Sequence, residues 1–132
     1  MNTSLHLGEH IIFDLSGCDQ EILFDSDRSY ALFASAVRAS GLTVIDEGFF
    51  KFSPHGFTCF LLLSESHASV HAWPEHGYLA IDLFTCNLGK DLTPLLEQLK
   101  SDFRAQSYNL HELNRYAQVP ENIPMLADGS IA

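Results

Sequence analysis

Apolar and polar positions along the chain change period several times, and each change marks an element. Residues 8–16, GEHIIFDLS, carry an apolar, β-branched run closed by Gly17, which predicts a strand. Asp19 stands before QEILF as the cap of a short helical turn. Asp25-Ser26-Asp27 opens a longer helix in which Tyr30, Ala31, Phe33, Ala34 and Val37 recur at three-to-four spacing until Gly41 stops it. Residues 42–52, LTVIDEGFFKF, read as a strand interrupted near Gly48, and Ser53-Pro54-His55-Gly56 is a turn by composition. FTCFLLLS, residues 57–64, is dense enough in apolar side chains to be a strand buried on both faces. A further strand covers roughly 67–73 and breaks at Trp73-Pro74-Glu75-His76-Gly77; another spans 78–86. Asp91–Phe103 predicts a second amphipathic helix with Leu92, Leu95, Leu96 and Leu99 on one face. A last strand is expected over 105–113, and the stretch from about 117 to 132, with Pro120, Pro124 and Gly129, reads as a loose tail.

This order of elements predicts one α+β domain over residues 1–132, a mostly antiparallel sheet with helices packed on one face as a two-layer sandwich. The other sheet face then needs cover, which a second copy of the chain would supply. Hydrophobic residues make up 46% of the 132 and charged residues 18%, enough for a packed core without staples. The formal net charge of -10, with only 7 Lys and Arg, argues against a nucleic-acid partner. It is compatible with a cationic substrate, but such a charge is more often a plain solubility feature. No apolar run nears the roughly 20 residues of a membrane-spanning helix, and MNTSLHLGEH does not read as a signal peptide, so no membrane role is expected. Cys18, Cys59 and Cys86, an odd count without a C-x-x-C pair, fit a reducing cytoplasm better than a disulfide framework.

Chemistry concentrates between residues 52 and 86. His55, His67, His71 and His76 fall there with Glu65, Ser66, Glu75 and Cys86, beside the aromatics Phe52 and Trp73. Zinc is a poor fit, because the histidines and Cys86 form no second matched pair of ligands, and no metal is expected. His67 and His76 read as structural or surface residues, and His55 as either a water-exposed turn residue or a site residue. Cys18 and Cys59 read as small buried hydrophobes. Cys86 ends a strand before Asn87 and Gly89, a better place for a site residue. Phe52 and Trp73 are either core aromatics or walls of a pocket, and Thr58 alone is an ordinary strand residue.

Four segments in register sharpen this picture: FSPHG at 52–56, ESH at 65–67, HAWPE at 71–75 and FTC at 84–86. Together they resemble the small prokaryotic S-adenosylmethionine decarboxylases, over roughly residues 8–112. The resemblance implies a proenzyme that cleaves itself between Glu65 and Ser66 into chains 1–65 and 66–132. Ser66 Oγ would attack the Glu65 carbonyl, an ester would form, and β-elimination followed by hydrolysis would leave a covalent pyruvoyl group made from Ser66. His71 matches the processing base of the family. Thr58 stands where these enzymes usually carry Ser, whose hydroxyl helps to hold the cleavage intermediate; a Thr hydroxyl makes the same bond, but its methyl restricts χ1. The pyruvoyl ketone would condense with the substrate's α-amine and accept the electrons left as carbon dioxide departs. Cys86 matches the proton donor to that carbon, Phe52 an aromatic that stacks on adenine, and Glu75 the acceptor for ribose hydroxyls. The resemblance further implies a homodimer of processed protomers and a product that donates an aminopropyl group in spermidine synthesis. Two other readings stand beside it: the same pyruvoyl chemistry on arginine or ornithine, and an unprocessed, inactive relative that binds or regulates a partner.

Overall fold

In the computed structural model, which describes residues 2–64 and 66–120, alternation along each strand decides which side chains meet the helices. The strands are β1 (Asn2–Ser16), β2 (Val44–Lys51), β3 (Phe57–Leu63), β4 (Ser66–Trp73), β5 (Tyr78–Thr85) and β6 (Ser107–Pro120). They form one sheet in the order β2-β3-β4-β5-β1-β6, and every neighbouring pair is antiparallel. Three helices, α1 (Gln20–Phe24), α2 (Ser26–Ala39) and α3 (Thr93–Asp102), complete the α+β sandwich, with a 3-10 turn at Pro74–His76. Phe13, Phe57, Leu61, Val70 and Ile81 project from the sheet into a core shared with Phe33, Val37, Leu99 and Phe103.

Both N-terminal helices start on carboxylates. Asp19 accepts from the Glu21 and Ile22 N–H groups, and Asp25 accepts from the Arg28 N–H at 3.1 Å. These bonds satisfy amides that a helix start leaves without partners. Between the two helices, the buried Ser29 Oγ donates to the Ile22 carbonyl at 2.7 Å and locks α1 against α2. No helix among the described residues is long and apolar enough to cross a membrane.

The structure departs from the sequence pattern at four places. β3 is buried on one face only: Phe57, Cys59, Leu61 and Leu63 face the helices, while Phe60 and Leu62 are each 43% exposed on the open face of the sheet. β2 is not interrupted at Gly48, which pairs with Phe60; the irregularity lies between Val44 and Asp46. β1 begins six residues before the expected strand, and β6 runs through Pro120, into the stretch expected to be loose from 117. These extensions pair with each other, from Asn2↔Pro120 to Gly8↔Arg115 across a bulge between His6 and Gly8. Each satisfies the other's backbone groups, which no local hydrophobic period announces. The rest of the expected tail, 121–132, lies outside the described residues.

Replacing the fully buried Phe33 with Ala should cost about 3–5 kcal/mol, through lost burial and the cavity left behind. Asp25→Ala, which removes one cap, should cost only about 1 kcal/mol. Urea unfolding midpoints of the two variants check both the order and the gap.

Candidate active site

The turn between β2 and β3 closes when the Phe52 N–H donates to the Gly56 carbonyl at 2.9 Å. Gly56 adopts φ +94°, and a Cβ there would sit 3.1 Å from the Ala72 carbonyl oxygen, so this close approach to β4 requires glycine. The turn thereby presses on the strand that carries the downstream motif. Thr58 and His71 are directly opposite in the β3–β4 ladder, and Thr58 Oγ1 lies 2.9 Å from His71 Nδ1. Thr58 therefore makes a side-chain hydrogen bond to the imidazole. Trp73 stacks on Tyr78 at 5.3 Å between ring centroids, and the Tyr78 hydroxyl donates to Asp14 at 2.9 Å. In the 3-10 turn that follows, Glu75 Oε2 meets His55 Nε2 at 2.8 Å. Phe52, His55, Thr58, His71, Trp73 and Glu75 line one pocket of about 340 Å³ on the open side of the sheet.

Ser66 and Cys86 lie elsewhere. Ser66 opens β4, between Leu63 of β3 and Thr85 of β5. Its Oγ is buried and has no hydrogen-bond partner among the described residues. A buried hydroxyl without a partner is uncommon and costs about 1–3 kcal/mol of desolvation. Glu65, the residue on the other side of the expected cleavage point, lies outside the described residues. A cavity of about 180 Å³ beside Ser66 is lined by Thr43, Ser64, Thr85 and Asn87 among others. Buried Thr85 accepts the Asn87 N–H on its Oγ1 at 3.0 Å, which curls the chain as it leaves β5 and leaves Cys86 exposed at the bend.

Of the sequence-predicted residues, Phe52, Thr58, His71, Trp73 and Glu75 thus share one pocket, while Ser66 and Cys86 lie outside it. Ser66 and His71 are five positions apart on one strand. An odd spacing turns their side chains to opposite faces, and five residues of strand span about 16 Å. Within one chain His71 does not reach Ser66. His55, which the sequence left open, belongs to the pocket group through its contact with Glu75. Its only advance signal was its place inside the FSPHG turn.

Comparison with known proteins bears on what this arrangement is. The sequence model of the family described as S-adenosylmethionine decarboxylase matches residues 9–116. The chain belongs to this family. It is 36% identical to the S-adenosylmethionine decarboxylase proenzyme of Pyrococcus abyssi over 109 residues, covering 83% of this chain and 78% of that protein. The Thermotoga maritima proenzyme is 37% identical over 124 residues, covering 89% and 94%. The crystal structure of the adenosylmethionine decarboxylase from Aquifex aeolicus superposes with a TM-score of 0.78 at 29% identity, over 91% of this chain and 98% of that one. The family match leaves out residues 2–8 and 117–120, the far end of the β1–β6 ribbon.

The three cysteines of this decarboxylase-family chain differ in burial. Burial pushes the Cys18 thiol up to about 11 and, helped by the Glu47 carboxylate, the Cys59 thiol up to about 12. Neither forms an appreciable thiolate near neutral pH, whereas Cys86 is exposed. Iodoacetamide at pH 8 should alkylate Cys86 first, and Cys18 and Cys59 only after unfolding. Peptide mapping of the adducts checks the order.

Proposed function

We propose that this chain is a self-processing, pyruvoyl-dependent decarboxylase that converts S-adenosylmethionine to its decarboxylated form, the aminopropyl donor for spermidine synthesis. The observation that carries the reading is the buried Ser66 hydroxyl, without a hydrogen-bond partner among the described residues, at the predicted cleavage point of a chain whose family match spans 9–116. A hydroxyl already stripped of water and hydrogen bonds loses nothing on becoming the nucleophile. Its Oγ adds to the Glu65 carbonyl carbon, and the Ser66 amine leaves as the peptide becomes an ester. Removal of the Ser66 α-proton then expels the Glu65 carboxylate. Water hydrolyses the resulting dehydroalanine, ammonia departs, and a ketone remains at the new N-terminus of chain 66–132. The pyruvoyl group supplies a conjugated carbonyl that takes up the electron pair released with carbon dioxide.

Other residues bind and move protons. Phe52 stacks against the adenine, Trp73 walls the same pocket, and Glu75 accepts hydrogen bonds from the ribose hydroxyls. Cys86 returns a proton to the substrate's α-carbon. His71, bonded through Nδ1 to Thr58, is the processing base, with the bond fixing its ring. Arginine or ornithine would have no use for the aromatic and carboxylate groups of this pocket, and the names of the relatives offer no support for either. The Thr58–His71 bond speaks against an idle, unprocessed relative, because it keeps the processing pair together.

The working unit is a homodimer whose site is shared. Ser66 and Cys86 of one copy meet the Thr58–His71 pocket of the other, because five residues of strand, about 16 Å, separate Ser66 from His71 within one chain. The open sheet face supplies the contact: Phe60, Leu62 and Trp73 leave it apolar and unpartnered in the single chain. Three free cysteines suit a reducing cytoplasm.

Mass spectrometry of the denatured protein should find two chains, 1–65 and 66–132, the second lighter by one ammonia than a serine-initiated chain. Carboxyl-labelled S-adenosylmethionine should release labelled carbon dioxide where arginine and ornithine do not, and Ser66→Ala should abolish both cleavage and release. A single uncleaved chain of 14.7 kDa would contradict the reading.

A further inference from the structure

The proposed roles leave His55 without a task, although its imidazole makes the shortest contact that Glu75 has. We propose that His55 is a positioning residue that fixes the Glu75 carboxylate and thereby enforces selection for the ribose hydroxyls of a nucleoside substrate; this rests on reading the pocket as the nucleoside subsite.

A carboxylate only accepts hydrogen bonds, and His55 Nε2 stands 2.8 Å from Glu75 Oε2 as its closest charged-pair neighbour. Rotation about the last bond of a glutamate is broad and roughly two-fold, so an unanchored carboxylate turns freely between orientations. With Oε2 held, the carboxylate plane is set and Oε1 remains for a substrate hydroxyl. The second imidazole nearby, His76, stands 3.9 Å from Oε1 with 73% of its side chain exposed, too far and too solvated to occupy it.

Both partners of the contact rest on α1. Phe24, its last residue, packs edge-on against the His55 ring at 5.3 Å. Gln20, its first residue, donates to the Pro74 and Glu75 carbonyls at 3.1 and 3.3 Å, fixing the backbone that presents Glu75. The Phe52–Gly56 turn bond holds the His55 backbone from the other side. A short helix of five residues therefore sets the distance between a donor and an acceptor that lie 20 positions apart in sequence.

A plain structural staple would look different. Both side chains are about one-third exposed, and an ion pair in that setting adds little to stability. Its consequence falls on recognition: a site built to hydrogen-bond a hydroxyl rejects the analogue that lacks it, provided the acceptor is held in place.

The test compares kcat/KM for S-adenosylmethionine with that for its 2′-deoxyribose analogue. The processed wild type should prefer the ribose form. His55→Ala should lose about tenfold of that preference, the loss falling on KM for the ribose substrate rather than on kcat. His55→Gln, whose amide retains an N–H donor, should recover part of it, while thermal unfolding stays near that of the wild type. Should His55→Ala not fold, His55→Asn, too short to reach Glu75, carries the same comparison. A variant that slows both substrates equally and keeps the wild-type ratio overturns the proposal, as does a wild type that turns over S-adenosylmethionine without preferring the ribose. A wild type inactive on S-adenosylmethionine overturns the decarboxylase reading, and the proposal with it.

Discussion

The two-residue period of a β-strand is the constraint on which the rest of this structure depends. β4 carries Ser66 at its start and His71 five residues on, and no rotation of either side chain brings two residues at odd spacing to the same face. The strand cannot slip to repair this, because a shift of one residue would drive His67, His71 and Trp73 into the helix layer and turn Ala68, Val70 and Ala72 outward. The register that builds the core thus holds Ser66 and His71 apart within one chain.

The open face of the sheet carries a row of stacked rings. Phe60 and Phe84 stack on either side of His67, at 5.5 and 5.7 Å between centroids, and His10 meets both His67 and Phe84 edge-on. His10 in turn lies 3.3 Å from Asp82. This row of rings, drawn from β3, β4, β5 and β1, gives His67 a packing role. An exposed sheet face of this kind is costly in water and well suited to burial against an identical face. Behind it, fully buried Phe13, Phe33, Leu61 and Leu99 hold the strands in place, so the pocket residues inherit the rigidity of the core.

Much of this was legible in the sequence because the signals were local. Asp19 and Asp25 announced helix starts by their side-chain chemistry, and Phe33, Val37, Leu95 and Leu99 announced buried helix faces by their spacing. His71 belonged to a motif and Thr58 to a position that the resemblance singles out, and the β3–β4 register brings them together. What stayed hidden depends on pairing between distant segments. Phe60 and Leu62 look like core residues in FTCFLLLS and differ from Leu61 only in facing away from the helices. The extension of β1 to Asn2 is set by its partner at Pro120, more than a hundred residues away. The His55–Glu75 contact is fixed by α1, which belongs to neither motif. The separation of Ser66 from His71 was in principle countable, yet its meaning required knowing that both lie on one uninterrupted strand.

The most direct test of the shared site is co-expression of two variants that each lack one half of it. Ser66→Ala keeps His71, and His71→Ala keeps Ser66. Neither should cleave when produced alone. In mixed dimers, the His71→Ala chain meets an intact His71 on its partner, and a tagged His71→Ala chain should then appear as two fragments. If that chain stays whole in mixed dimers while the wild type cleaves, the two halves do not act across copies and the account of the site is wrong.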